Sequence, residues 1–155
     1  MKPLKLAACI LICLMAGILG SLFTTTGDGS WYSSIIKPDF TPPNWVFGPA
    51  WTTLYVMMGA SLYLLLEAGE SLHKKYALLP FSIQLLLNFF WSVLFFGLNS
   101  PFLALLEIAF LWIAIAATIF FSWRVSKNAS LLLIPYILWV SFAAFLNYSI
   151  LMLNP

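Results

Sequence analysis

Apolar residues run through the chain in five long blocks, at residues 6–24, 45–66, 77–98, 102–123 and 129–153. Each is close to the ~20 residues that a helix needs to cross hydrocarbon. One longer connection, residues 25–44, and three short ones separate them. The pattern predicts an all-α integral membrane protein, a bundle of five transmembrane helices forming one domain over residues 1–155. Little chain remains for a soluble domain, and there is no internal repeat or low-complexity tract.

Composition agrees with that reading. The chain is 63% hydrophobic and 8% charged, with a mean hydropathy of +0.99. A soluble domain carries roughly 25% charged residues because it must solvate its surface, so lipid is the expected solvent here. The first block follows Lys2 and Lys5 and so resembles a signal peptide. No small-x-small cleavage site follows it, and Leu6-Ala7-Ala8-Cys9 comes too early to be a lipoprotein box. We read the block as a retained helix.

The net charge of +2 is too small to imply nucleic acid, but its placement orients the chain. With five spans, the N-terminus and the second and fourth loops share a side. They hold Lys2, Lys5, Lys74, Lys75, Arg124 and Lys127, six of the seven basic residues. The positive-inside rule then puts the N-terminus in the cytoplasm and the 25–44 loop outside; the cell membrane is the expected location.

The entry to the second block, "KPDFTPPNWVFGPAWTTLY", is dense in proline. Pro42 and Pro43 suit the first turn of a helix, with Thr41 as its N-cap. Pro49 lies inside the block, where it should kink the helix and free the Trp45 carbonyl. A freed carbonyl needs protein or water beside it, which suggests a cavity near Trp45 and Trp51. Taking 1.5 Å per residue, Trp51 lies about 12 Å below the outer rim, Asn88 about 15 Å, Glu107 and Asn147 about 9 Å, and Trp139 about 20 Å. Most polar residues of the spans therefore sit in the outer half, beneath the long loop.

Their spacing puts them on shared faces. Gln84, Asn88 and Trp91 share one face, as do Trp51, Tyr55 and Met58, and Trp139, Ala143 and Asn147. Polar groups in hydrocarbon are costly and turn to the bundle interior, where they serve either as interhelical glue or as ligand contacts. Glu107, the one acid well inside a span, is either a hydrogen-bonded packing partner or a functional group. Trp45 and Trp123 read as interface anchors, whereas Trp51 and Trp139 lie too deep for that. Cys9 and Cys13 lie four apart in the first block and read as packing residues, because without a nearby His they make a poor metal site.

The reactive inventory is thin. His73, the lone histidine, sits in a cytoplasmic loop with Lys74 and Lys75, away from the outer-half cluster. A nucleophile–His pair and an axial ligand for haem iron are both missing there. No metal and no resident cofactor are expected. Aromatic walls with a few amides fit a flat, largely apolar ligand.

Three segments carry a specific resemblance. "WYSSIIKPDFTPPNWVFGPAWTTLY" followed by "MGASLYL", then "QLLLNFFWSVLFF", then "LLLIPYILWVSFAAFLNYSILMLN" resemble the translocator protein family, whose bacterial members are the tryptophan-rich sensory proteins. The resemblance spans about residues 31–154. It implies a five-helix bundle, often a homodimer, that binds porphyrins such as protoporphyrin or haem and, in some members, sterols and synthetic ligands. It implies a cavity between the helices under the first loop. By motif, Tyr32 then belongs with Trp31 to the loop's WY pair, Trp51 to the GPxWT segment, Asn88 to QxxxN, and Trp139 and Ala143 to PYxxWxxFA; Tyr55, Gln84, Trp91 and Asn147 join them as candidate ligand contacts through the shared faces. Glu107 stands where the family often has an aspartate. Two positions depart from the family pattern. Phe40 replaces a tryptophan, and no basic residue ends the sterol motif proposed near the C-terminus.

Three functions compete: a membrane receptor or sensor that binds tetrapyrroles, a light-dependent porphyrin-degrading enzyme with Trp51 and Trp139 as candidate catalytic residues, and a transporter. The lack of an inverted repeat argues against a typical secondary transporter. The charge asymmetry makes a direct prediction. A cysteine introduced as Ser33→Cys should react with an impermeant thiol reagent in intact cells, and one introduced as Ser71→Cys should not; the reverse labelling overturns the orientation.

Overall fold

Five apolar helices in the computed structural model, which describes residues 2–154, are long enough to cross a bilayer. They are α1 (Pro3–Ser21), α3 (Asn44–Glu67), α4 (Leu72–Ser92, continued by a π-helical turn to Gly97), α5 (Pro101–Trp123) and the last span, split into α6 (Lys127–Leu131) and α7 (Ile134–Leu153). A short helix, α2 (Trp31–Ser34), lies in the long loop. No strand occurs among the described residues, and the chain is the all-α, multi-pass membrane protein its hydropathy predicts.

Local chemistry moves several expected boundaries. Pro3 opens α1 before the apolar block begins. Ser71 accepts from the Lys74 amide and caps α4, so His73, Lys74 and Lys75 lie in its first turn rather than in a loop. Pro42 and Pro43 stand before α3 rather than in its first turn. Thr41 donates to the Pro38 carbonyl at 2.7 Å instead of capping the helix. The last span breaks at Leu132–Leu133, because Pro135 has no N–H to return to the Leu131 carbonyl.

The helices pack in a ring. α1 lies against α3 and α4, α4 against α5, and α5 against α7, while α6 returns to α3. At the basic end, the Ser61 hydroxyl donates to the Ala129 carbonyl at 2.8 Å and Lys5 pairs with Glu67 at 2.6 Å. Lys74 Nζ is buried there and donates to the Leu66 and Ala68 carbonyls at 3.2 and 3.0 Å.

Antiparallel α1 and α3 approach closely where glycine removes the side chain, a common device of membrane helices. A Cβ on Gly59 would stand 2.4 Å from Ile10 Cα, and one on Gly17 would stand 2.2 Å from the Tyr55 ring. Cys9 and Cys13 are free thiols buried in the same core.

Gly59→Ala must therefore force two backbones apart. It should lower stability by about 1–3 kcal/mol, as overpacking does. Gly69→Ala, whose added Cβ meets nothing within 4 Å, should be close to neutral. Thermal unfolding in detergent checks the pair, and equal midpoints would show that the crossing is not tight.

Candidate ligand-binding site

Toward the loop end the ring opens around a cavity of about 390 Å³, within the usual range for small-molecule sites. Its wall comes from α1, the long loop, α3, α4 and α7, and no charged side chain lines it among the described residues. α5 packs behind α4 and α7 and contributes nothing to the lining.

The floor is polar and closed. The Tyr55 hydroxyl donates to Asn88 Oδ1, and Asn88 Nδ2 donates to the Tyr136 hydroxyl at 3.0 Å. All three residues are buried, so one amide joins α3, α4 and α7 and leaves none of these groups unpaired in hydrocarbon. Trp51 stacks on Tyr55 with ring centroids 5.8 Å apart. Its ring meets Trp139 edge-on at 6.5 Å, and Phe47 meets Trp139 at 6.0 Å. Trp91, which also lines the cavity, stacks on Phe95 at 4.9 Å. The Trp91 indole N–H donates to Asn147 Oδ1 at 3.2 Å, and Asn147 Nδ2 donates to the Pro101 carbonyl at 2.8 Å. The Trp139 Nε1 donor is buried without a partner among the described residues.

The roof is the long loop. Tyr32 is buried against Phe95 and Phe96, at 6.2 and 5.5 Å. Burial pushes its phenol above the ordinary range. Lys37 Nζ donates to the Tyr32 and Ile35 carbonyls at 2.6 and 3.3 Å and sits 4.7 Å from the Tyr32 ring centroid. Asn154 clips the loop to the end of α7: its Oδ1 accepts from Ile36 N at 2.9 Å and its Nδ2 donates to Ile36 O at 2.8 Å. Phe40, the departure from the family's tryptophan, stacks on Phe145 at 5.2 Å.

Of the residues named from sequence, Tyr32, Trp51, Tyr55, Asn88, Trp91, Trp139, Ala143 and Asn147 meet at this cavity. Trp31, Gln84 and Glu107 do not line it. Trp31 packs edge-on against Phe95 at 5.6 Å. Gln84 is one helical turn below Asn88, under the floor, where its Nε2 lies 3.7 Å from Met58 Sδ. Glu107 is buried on α5, and neither of its oxygens has a partner among the described residues. Trp45 stays outside this cavity and is 75% exposed, as an interface anchor would be; with Pro49, Pro135 and Trp139 it lines a separate, more open hollow between α3 and α7.

Sequence reasoning missed Phe95 and Phe96. They sit in the π-helical turn, where Leu98 N reaches back to the Val93 carbonyl at 2.9 Å. That wider turn breaks the 3.6-residue period used to assign faces; π-bulges are frequent at functional sites. The contribution of α1 was missed too, because Gly17 acts by being small.

The sequence profile of the TspO/MBR family matches residues 9–153. The chain belongs to the TspO/MBR family. It is 47% identical over 153 residues to the tryptophan-rich protein TspO of Chlorobaculum tepidum, a match covering 98% of this chain and 97% of that one. It is 48% identical over 157 residues to the tryptophan-rich protein TspO of Archaeoglobus fulgidus, covering 99% of both. The Homo sapiens translocator protein is 37% identical over 135 residues, covering 85% of this chain and 79% of its own. Similarity to TspO/MBR proteins thus extends through the whole bundle.

Proposed function

We propose that this TspO/MBR protein is a membrane receptor that holds a tetrapyrrole, such as protoporphyrin or haem, edge-down in the aromatic cavity under the first loop. The observation that supports this most is the uncharged cavity lined by two aromatic pairs, Trp51 with Trp139 and Trp91 with Phe95. Stacking on such walls contributes roughly 0.5–1.5 kcal/mol per pair beyond area burial. Among the described residues the lining has no His or Cys, so haem would be held chiefly by its faces. The N-terminus faces the cytoplasm in this proposal, because the lysines of α1 and α4 share the basic end.

A second reading, light-driven porphyrin degradation, draws support from the Trp51–Trp139 contact. Two indoles in contact beside a bound ring are placed to give electrons to it when it is excited.

Titrating purified protein with protoporphyrin, haem and a sterol, in darkness and in light, separates these readings. Saturable protoporphyrin binding in darkness is expected. Trp51→Phe keeps a ring but loses area and the indole N–H, so it should weaken affinity by about tenfold at most. If Trp51 donates an electron, the same change abolishes light-driven loss of porphyrin while sparing most binding. Wild-type protein that binds no protoporphyrin overturns the tetrapyrrole reading, and wild-type protein that binds but never bleaches it removes the enzyme.

A further inference from the structure

The cavity wall is exposed on one side only. Of its lining residues, Ile18, Ser21, Thr24, Asn44, Gly48 and Thr52 are exposed, and all the rest are buried or half-buried. These six belong to α1, the chain just after it, and the first half of α3. The two helices are locked together lower down, at the Gly17–Tyr55 and Ile10–Gly59 contacts. Above Gly17 the residues facing the gap are exposed, as they would be if the helices splay there.

The roof is fastened on the other side. Asn154 and Phe40 hold it to α7, and Tyr32 with Trp31 holds it to the π-helical turn. Across the α1–α3 gap the one side-chain hydrogen bond from α3 to the loop among the described residues is long: Asn44 Nδ2 to the Thr26 carbonyl at 3.4 Å.

The gap also reaches membrane depth. Thr52 is eight residues inside α3, about 12 Å below its start, well into a hydrocarbon core ~30 Å thick. The rim suits that setting. Ser21 and Thr52 donate their hydroxyls to carbonyls of their own helices at 2.7 and 2.9 Å, and Thr24 donates to the Gly20 carbonyl of α1 at 3.2 Å, so these three hydroxyl donors are paired rather than turned to lipid. The hydroxyl oxygens remain free to accept. Leu22, 73% exposed, flanks the gap.

We infer that the cleft between α1 and α3 above Gly17 is a lipid-facing port, through which a flat amphiphile already dissolved in the bilayer slides sideways into the cavity. Its apolar ring leads toward Trp51, and its polar edge stays at the Ser21, Thr24 and Asn44 rim. The long loop is then a fixed roof rather than the entrance. This inference rests on the cavity being a ligand site, but it does not require that the ligand be a tetrapyrrole.

The test labels the cavity itself. Full-length protein carrying Ala143→Cys, in proteoliposomes, is exposed to N-(1-pyrenyl)maleimide, which partitions into lipid, or to a sulfonated maleimide, which stays in water. Protein with only the native Cys9 and Cys13 supplies the background. Pyrenyl labelling should exceed sulfonated labelling. Thr52→Trp and, separately, Ile18→Trp should each slow pyrenyl labelling about tenfold by filling the port, a rate effect of the kind expected when access is narrowed. If one of these variants fails to fold, the other reads the port. Asn154→Ala, which frees the roof, should leave the rate unchanged. Equal or faster labelling by the sulfonated reagent overturns the port, as does acceleration by Asn154→Ala with no effect of either tryptophan. No tetrapyrrole is used, so failure of wild-type protein to bind protoporphyrin would refute that ligand and leave the labelling result to decide the port.

Discussion

A carboxamide in hydrocarbon must find partners for both its ends, and Asn88 finds them on two other helices. Its Oδ1 accepts from Tyr55 of α3 and its Nδ2 donates to Tyr136 of α7. Either phenol alone would be costly at this depth. Together they turn a polar burden into the joint that fixes where the bundle stops being solid. Below the joint lie Met58, Phe81 and Leu111, buried side chains of the core. Above it, the aromatic rings pack in pairs around the open cavity.

The glycines of the α1–α3 crossing complete that joint. Gly17 lets α1 lie against the edge of the Tyr55 ring, with Tyr55 directed at Asn88. Gly59 holds the same register two turns of α1 lower, at Ile10. The crossing and the amide are thus neighbours through one tyrosine, and both the closed floor and the open side above Gly17 follow from where that contact is made.

Much of this was legible in the sequence, for reasons that can be named. Lipid demands long apolar runs, so hydropathy located all five spans. Trp139, Ala143 and Asn147 share a cavity face because α7 keeps a regular period through them. Trp51 and Tyr55 do the same on α3. The failures have physical causes too. A polar residue in a span reports the bundle interior, and the interior extends beyond the cavity. Gln84 therefore lies under the floor, and Glu107 lies on α5, a helix that the cavity never touches. Phe95 and Phe96 were hidden by a change of helical period, and Gly17 by having no side chain to notice. The break before α7 was written in Pro135, whose missing N–H falls opposite Leu131.

The most direct test of the Asn88 joint is to measure unfolding and protoporphyrin affinity together for Asn88→Leu, which keeps the shape of the side chain and removes both hydrogen bonds. Bonds between membrane helices average about 0.6 kcal/mol each, and a buried polar group left unpaired costs about 1–3 kcal/mol. The variant should therefore lose on the order of 1–3 kcal/mol of stability, and its affinity should fall as the floor loosens. Unchanged unfolding with unchanged affinity would contradict the central role given to this amide.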